Sequence, residues 1–357
     1  MRAAAREDVR PSRTRILAGE GVRQLDHARI DFEPVKFQPV PVARLWGGHR
    51  LKSWFGVDTD EPIGEYWVLS GHPNGMSVAA SGPFAGMTLA ELVEQYPSVY
   101  LGHSPQPRFP LLIKFIEASQ DLSVQVHPDD AYAQRVEGDF GKTEAWYILE
   151  CPPDGRVIYG HQFRSQADYR EAVEAGRVQE KLRWRPIQPG QVVFVPAGTL
   201  HALLAGTIVV EVQQTSDVTY RVYDWDRVDA NGNPRPLHVD KAADVLNFDP
   251  DDPAAQTHPE AANPDASAAG VPAPWRRLVT CPYFTMDHVH LDTGTLPVES
   301  GRAGNPDILI AMGGSGRLSW PGGDMSIRRG DTVLLPATLT QYTVVNDDRL
   351  ELLRVFY

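Results

Sequence analysis

Cysteine is scarce in this 357-residue chain. It has two, Cys151 and Cys281, too few and too far apart for a disulfide framework or a zinc ribbon. Long apolar runs are missing as well. No uninterrupted stretch of roughly 18 apolar residues occurs, which excludes a conventional transmembrane helix. The chain also lacks a basic excess: 34 Lys and Arg face 46 Asp and Glu, for a formal net charge of −12 and a pI of about 5.4. That balance argues against nucleic acid as the main partner, because phosphate backbones select basic surfaces. It leaves room for a small anionic substrate, which needs only a few local cations. The N-terminal "MRAAAREDVRPSRTR" is arginine-rich but has no apolar core, so it is not a secretory signal. A globular, cytoplasmic protein is the expectation.

What the chain does have is many short apolar runs punctuated by Gly, Pro and Asp. Examples are "EYWVLSG" (65–71), "FPLLIKFIEA" (109–118), "EAWYILEC" (144–151), "TIVVEVQQ" (207–214), "DILIAMGG" (307–314) and "LELLRVFY" (350–357). Short strands at regular intervals predict an all-β fold, a sandwich or barrel. Helices are the minority. "MTLAELVEQYP" (87–97) has a Thr88 cap, and "SQADYREAVEAG" (165–176) has a Ser165 cap and a Gly176 stop. Residues 249–274 are rich in Pro, Ala and Asp and poor in large apolar side chains, so they read as a linker or long loop. The expected organisation is an extension over 1–34, a catalytic part over 35–248, the linker, and a smaller C-terminal β part over 275–357. "GQVVFVPAGTLH" (190–201) is echoed 140 residues later by "GDTVLLPATLTQ" (330–341), as if one β unit occurred twice. His201 in the first copy faces Gln341 in the second, so the second is expected to be metal-free.

One strand raises a question of chemistry. In "LSVQVHPDD" (122–130) the polar residues Ser123, Gln125 and His127 fall at alternate positions, so they share a face. Glu144 in "GKTEAWYIL" and His201 in "VPAGTLHAL" also stand at or near the ends of apolar runs. Two imidazoles and a carboxylate suit zinc or ferrous iron, and the Gln125 amide can supply a harder fourth ligand. A soft thiolate site is excluded, because the set holds no cysteine. Taken singly, each residue is more often a hydrogen-bonded or solvated side chain than a ligand. His49, His103 and His161 read as surface or hydrogen-bonded residues, and Cys151 as a small packed one.

At these motifs the chain resembles a family. "PLLIKFIEASQDLSVQVHPDD", "GKTEAWYIL", "VPAGTLHAL" and "EVQQTSDVTYRVYDWDR" are similar to type I mannose-6-phosphate isomerases in their short bacterial form, over about Val42 to Val245. The resemblance implies a double cupin, a jelly-roll β-barrel with few helical insertions followed by a degenerate C-terminal cupin. It implies one Zn²⁺ per chain, held by Gln125, His127, Glu144 and His201, with Ser123 near the substrate phosphate. It places Lys142, Glu211 and Arg221 at active-site positions. Interconversion of mannose 6-phosphate and fructose 6-phosphate moves a proton between C1 and C2 through a cis-enediol. Arg221 would stabilise the enediolate, and Lys142 and Glu211 are the proton-transfer candidates; Lys142 and Arg221 would also bind substrate. The chain lacks the large helical insertion of the eukaryotic long form. Two other readings stand beside this one. A non-haem iron dioxygenase would use a similar triad, although Gln125 occupies a position oxygen would need. A non-catalytic sugar-binding cupin leaves Lys142, Glu211 and Arg221 unexplained as a set.

Overall fold

The computed structural model describes residues 31–104, 106–228, 232–249 and 274–357. The expected N-terminal extension up to residue 30, and all but the edges of the 249–274 segment, lie outside the described residues. Among the described residues strands predominate, in three sheets of nine, six and five strands, and all their pairings are antiparallel. The all-β expectation therefore holds.

The six-stranded sheet runs in the order Val192–Val195, Glu144–Glu150, Thr207–Gln214, Leu111–Ala118, Ile63–Ser70, Val40–Gly48. Its three central strands, Thr207–Gln214, Leu111–Ala118 and Ile63–Ser70, are buried at every position. Both faces are covered, so the charged residues Glu211, Lys114 and Glu65 are forced into the interior, where an unpaired charge is very costly. The five-stranded sheet, in the order Tyr220–Tyr223, Val124–Val126, His201–Ala202, Arg156–His161, Leu182–Pro186, packs against it. A shared core of Ile116, Trp146, Val193 and Val209 from the first sheet meets Leu122, Val157 and Leu203 from the other side.

The nine-stranded sheet is drawn mainly from residues 276–356. Two early strands join it: Val35–Gln38 pairs with Thr332–Leu335, Val35 lying opposite Leu334, and Val78–Ala79 pairs with Val35–Gln38 in turn. The N-terminal part thus contributes an edge to the C-terminal sheet, which no sequence signal announced. The packed chain also begins a little earlier than expected, because the Phe32 ring meets Phe84, Tyr96 and Tyr100. Residues 32–357 form one compact unit.

The repeated motif has the same backbone twice. Gly190 and Gly330 both take positive φ, 84° and 92°, open to glycine at little cost. Each leads into a four-residue strand, Val192–Val195 or Thr332–Leu335. Each strand ends in Pro-Ala, and the Pro196 and Pro336 carbonyls accept from Thr199 and Leu339 amides. The helix signals hold too. Thr88 caps Leu89–Gln95 in a reciprocal capping box with Glu91, and Ser165 caps Gln166–Glu174, with Gly176 at φ 65° beyond its end. Among the described residues no helix is long and apolar enough to cross a membrane.

Candidate active site

The strand in "LSVQVHPDD" is shorter than its pattern suggested. Only Val124–Val126 is ladder, and His127 and Pro128 lead directly into a helix, Asp130–Val136, capped by the Asp129 carboxylate on the Tyr132 amide at 2.8 Å. The turn is tied to the next motif at several points. The Lys142 amide donates to the Pro128 carbonyl at 3.0 Å, and the Asp130 carboxylate accepts from the Gly141 amide at 2.8 Å. Gly141 must be glycine here, since a Cβ would collide with the Asp130 amide nitrogen. The third motif closes the set: the Gly198 amide donates to the His127 carbonyl at 2.9 Å and the Ala197 amide to Thr143 Oγ1 at 3.2 Å. Three separate loops are thereby locked around one point.

At that point His127, Glu144 and His201 offer ligand atoms all within 4.8 Å of one another, and all three residues are buried. His201 Nε2 lies 3.3 Å from Glu144 Oε1, and His127 Nε2 lies 3.6 Å from Glu144 Oε2. Each imidazole is oriented from behind: His127 Nδ1 meets the Val218 carbonyl at 2.9 Å, and His201 Nδ1 the Thr199 carbonyl at 2.8 Å. With the protons on Nδ1, both Nε2 lone pairs face inward, the arrangement that prepares a histidine to bind a metal. Burial, with the nearby Lys142 charge, lowers the basicity of His127 well below the ordinary range. Burial likewise takes His201 down to about 4. Both rings are therefore neutral, as ligands must be. Gln125 is the cross-strand partner of His201, and its amide nitrogen sits 3.4 Å from His201 Nε2. A half-turn of the amide would present its oxygen instead.

The fit to a cation is visible in what these atoms lack. His127 Nε2 and both carboxylate oxygens of Glu144 are buried without a hydrogen-bond partner. Lys142 Nζ, 2.9 Å from Glu144 Oε2, makes an ion pair outside hydrogen-bond geometry. Burial, reinforced by the Glu211 charge, pushes the Glu144 carboxyl up to about 7. Unsatisfied buried polar atoms are costly, and a divalent cation would satisfy all of these at once.

Beside this cluster is a cavity of about 310 Å³, lined by Ser123, Gln125, Lys142, Glu211 and Arg221 among others. Of the residues singled out from sequence, these five meet at the cavity and His127, Glu144 and His201 lie behind it. Arg221 pairs across strands with Gln125, so Arg221, Gln125 and His201 form one row of the five-stranded sheet. Its guanidinium is held by the Pro236 carbonyl at 2.9 Å, and Nε is buried without a partner. Lys142 is not in a strand, because the ladder begins at Glu144. It reaches Glu144 by the loop contact to Pro128 instead, and lies 3.8 Å from Glu211 Oε1.

Five charged residues of the cavity wall were not singled out from sequence: Arg44, Glu65, Lys114, Asp217 and Arg235. Lys114 bridges Glu65 at 3.3 Å and Glu211 at 3.4 Å, and lies 4.9 Å over the Trp67 ring. The Trp146 indole donates to Glu211 at 2.9 Å. Burial opposes ionisation of Glu65 and Glu211, but lysines outweigh it. Lys114 with Arg44 holds Glu65 down at about 2, and Lys142 with Lys114 holds Glu211 below its ordinary value. For Lys142, burial is outweighed by Glu144 and Glu211, which raise its pKa. The signal for Lys114 was present: a lysine in the middle of "PLLIKFIEA" has to be paired if both strand faces are buried.

Residues 38–147 match the family model of the type I phosphomannose isomerase catalytic domain. The mannose-6-phosphate isomerase of Streptococcus mutans is 37% identical over 318 residues, 88% of this chain and 96% of that protein. The chain belongs to the type I phosphomannose isomerase family. A mannose-6-phosphate isomerase of Bacillus subtilis is 37% identical over 313 residues, 87% of this chain and 95% of that one. The crystal structure of the mannose 6-phosphate isomerase from Bacillus subtilis superposes with a TM-score of 0.77 at 33% identity, covering 91% of this chain and 99% of that one. A mannose 6-phosphate isomerase bound with zinc and yttrium shares the fold at 16% identity and a TM-score of 0.67, over 91% of this chain and 99% of its own.

Proposed function

We propose that this chain is a zinc-dependent mannose-6-phosphate isomerase, interconverting mannose 6-phosphate and fructose 6-phosphate through a cis-enediol. The observation that carries the reading is the convergence of three buried ligand atoms without a hydrogen-bond partner, His127 Nε2 and both Glu144 oxygens, behind a cavity walled by paired cations and carboxylates. Gln125, His127, Glu144 and His201 would hold the metal. When bound there, Zn²⁺ supplies Lewis acidity toward a sugar oxygen.

The chain's own residues supply the rest. Lys142 and Glu211 line the cavity 3.8 Å apart, and we assign proton transfer between C1 and C2 to this pair. Lys114 and Trp146 fix the Glu211 carboxylate from two sides. The Arg221 guanidinium, anchored through Nη1 with Nε free, would stabilise the enediolate charge, and Ser123, on the same cavity wall, would hold a phosphate oxygen. Arg44, Lys114, Lys142, Arg221 and Arg235 outnumber Glu65, Glu211 and Asp217 on the wall, which suits a sugar phosphate. A cytoplasmic setting suits such a substrate and the two free thiols. We read 35–248 as the catalytic jelly roll and 275–357 as a second, metal-free one. The test is fructose 6-phosphate formation in a coupled assay, before and after chelation.

A further inference from the structure

The second β unit repeats the geometry of the first with different chemistry. Glu144 lies opposite Val195, and 140 residues on from Val195 is Leu335, opposite Asp307. In the same ladders Glu211 lies opposite Trp146 and Lys114, while Arg354 lies opposite Leu309 and Asp287. Asp307 therefore stands at the place of Glu144, Arg354 at that of Glu211, and Asp287 at that of Lys114. The buried pair is kept with its charges exchanged, Arg354 meeting Asp287 at 2.9 Å. The exposed Gln341 does not point inward like His201. The ring of its neighbour Tyr342 does, and its hydroxyl reaches Asp307 at 3.2 Å.

Over these substituted residues opens a cleft of about 800 Å³, larger than the catalytic cavity. Trp275 and Trp320 line it, with Tyr342 and Arg354, and Ser319 and Thr343 add hydroxyls. Arg354 is 3% exposed and its Nε is buried without a hydrogen-bond partner, while its other nitrogens are taken by Asp287 and the Glu299 carbonyl. Arg277 also pairs with Asp287. Trp275 is 7% exposed and its ring is covered by the Arg354 guanidinium at 4.7 Å, so the half-buried Trp320 ring is the flat wall that, with the two hydroxyls, makes a site for an apolar-faced polyol. The charge rules out a phosphate. Arg354 is the one cation of the lining, already neutralised, and Glu299 is there too, whereas five cations line the catalytic cavity.

We infer that the cleft formed by Trp275, Trp320 and Arg354 is a second binding site, for an unphosphorylated hexose. It does not depend on the isomerase reading. The test is equilibrium dialysis of the full chain against radiolabelled mannose, with and without excess fructose 6-phosphate, for the unaltered protein, Trp320→Ala and Trp320→Phe. A monosaccharide contacting such a site should bind with a dissociation constant on the order of 1 mM. Trp320→Ala should weaken this at least about tenfold, with turnover of mannose 6-phosphate unchanged, and Trp320→Phe should retain most of it. Fructose 6-phosphate should not compete. The inference is overturned if mannose does not bind, if its binding ignores Trp320→Ala, or if fructose 6-phosphate displaces it. Absence of isomerase turnover in the unaltered protein would sink the functional reading instead, and would leave Trp320-dependent mannose binding in place.

Discussion

Glu211 shows how single residues carry the account. It is buried on a strand covered on both faces, and Lys114, Lys142 and the Trp146 indole surround it. Glu211→Gln would leave each lysine one carboxylate, Glu65 for Lys114 and Glu144 for Lys142. Removing one partner of a buried ion network should cost about 3 kcal/mol in urea unfolding, together with nearly all turnover. Unchanged stability would mean that the lysines hold no charge needing Glu211. Arg221→Lys separates two roles. It keeps the charge but removes the planar fork of donors. If Arg221 meets charge that grows in the transition state, kcat should fall by roughly 10²–10³ with little change in KM. A steep rise in KM with kcat preserved would make it a phosphate anchor. Glu211 and Arg221 were reached through the motifs that resemble the family, and Glu211 also interrupts an apolar strand. Lys114 and Glu65 interrupt theirs in the same way, but their importance depends on burial of both strand faces, which alternation along one strand does not reveal.

Loops rather than ladders position His127 and Lys142, whereas Glu211, Arg221 and Lys114 stand in strands. The strand Val124–Val126 is three residues long, and His127 owes its place to the Gly198 amide and the Val218 carbonyl. Gly141→Ala should push the Asp130 turn away from the "GKTE" loop and lower metal content and turnover together, while the sheets stay folded by circular dichroism. Full metal content in that variant would show the loops to be more compliant than their hydrogen bonds imply. His201→Ala removes one imidazole from a folded sheet. Native mass spectrometry should find the metal strongly reduced; stoichiometric zinc would exclude His201 as a ligand. Strand runs and helix caps were legible, since periodicity and capping chemistry are local. The pairing of Val35–Gln38 with Thr332–Leu335 was not, because nothing local records a partner some 300 residues away.

Across the whole molecule, pH reports on a half-buried imidazole that does not line the cavity. Burial lowers the His161 imidazole to about 4, below its ordinary 6.5. As pH falls, the unfolded chain takes up this proton first, so the contribution of neutral His161 is full above 6.5 and is lost toward 4. His161→Gln should therefore flatten the fall in stability between pH 6.5 and 5 by on the order of 1 kcal/mol; an unaltered slope would place the titration elsewhere. Duplication was readable only as a faint echo of a dozen residues. The structure extends it to a matched pair of buried charges, Glu211 with Lys114 and Arg354 with Asp287. The exchange of residue types hides that match from the sequence. The most direct test of the central claim is fructose 6-phosphate production from mannose 6-phosphate, followed through chelation and readdition of zinc with the bound metal counted. The account predicts turnover at about one zinc per chain, lost on chelation and restored by zinc. Turnover that survives complete removal of the metal, or none with the metal in place, would contradict it.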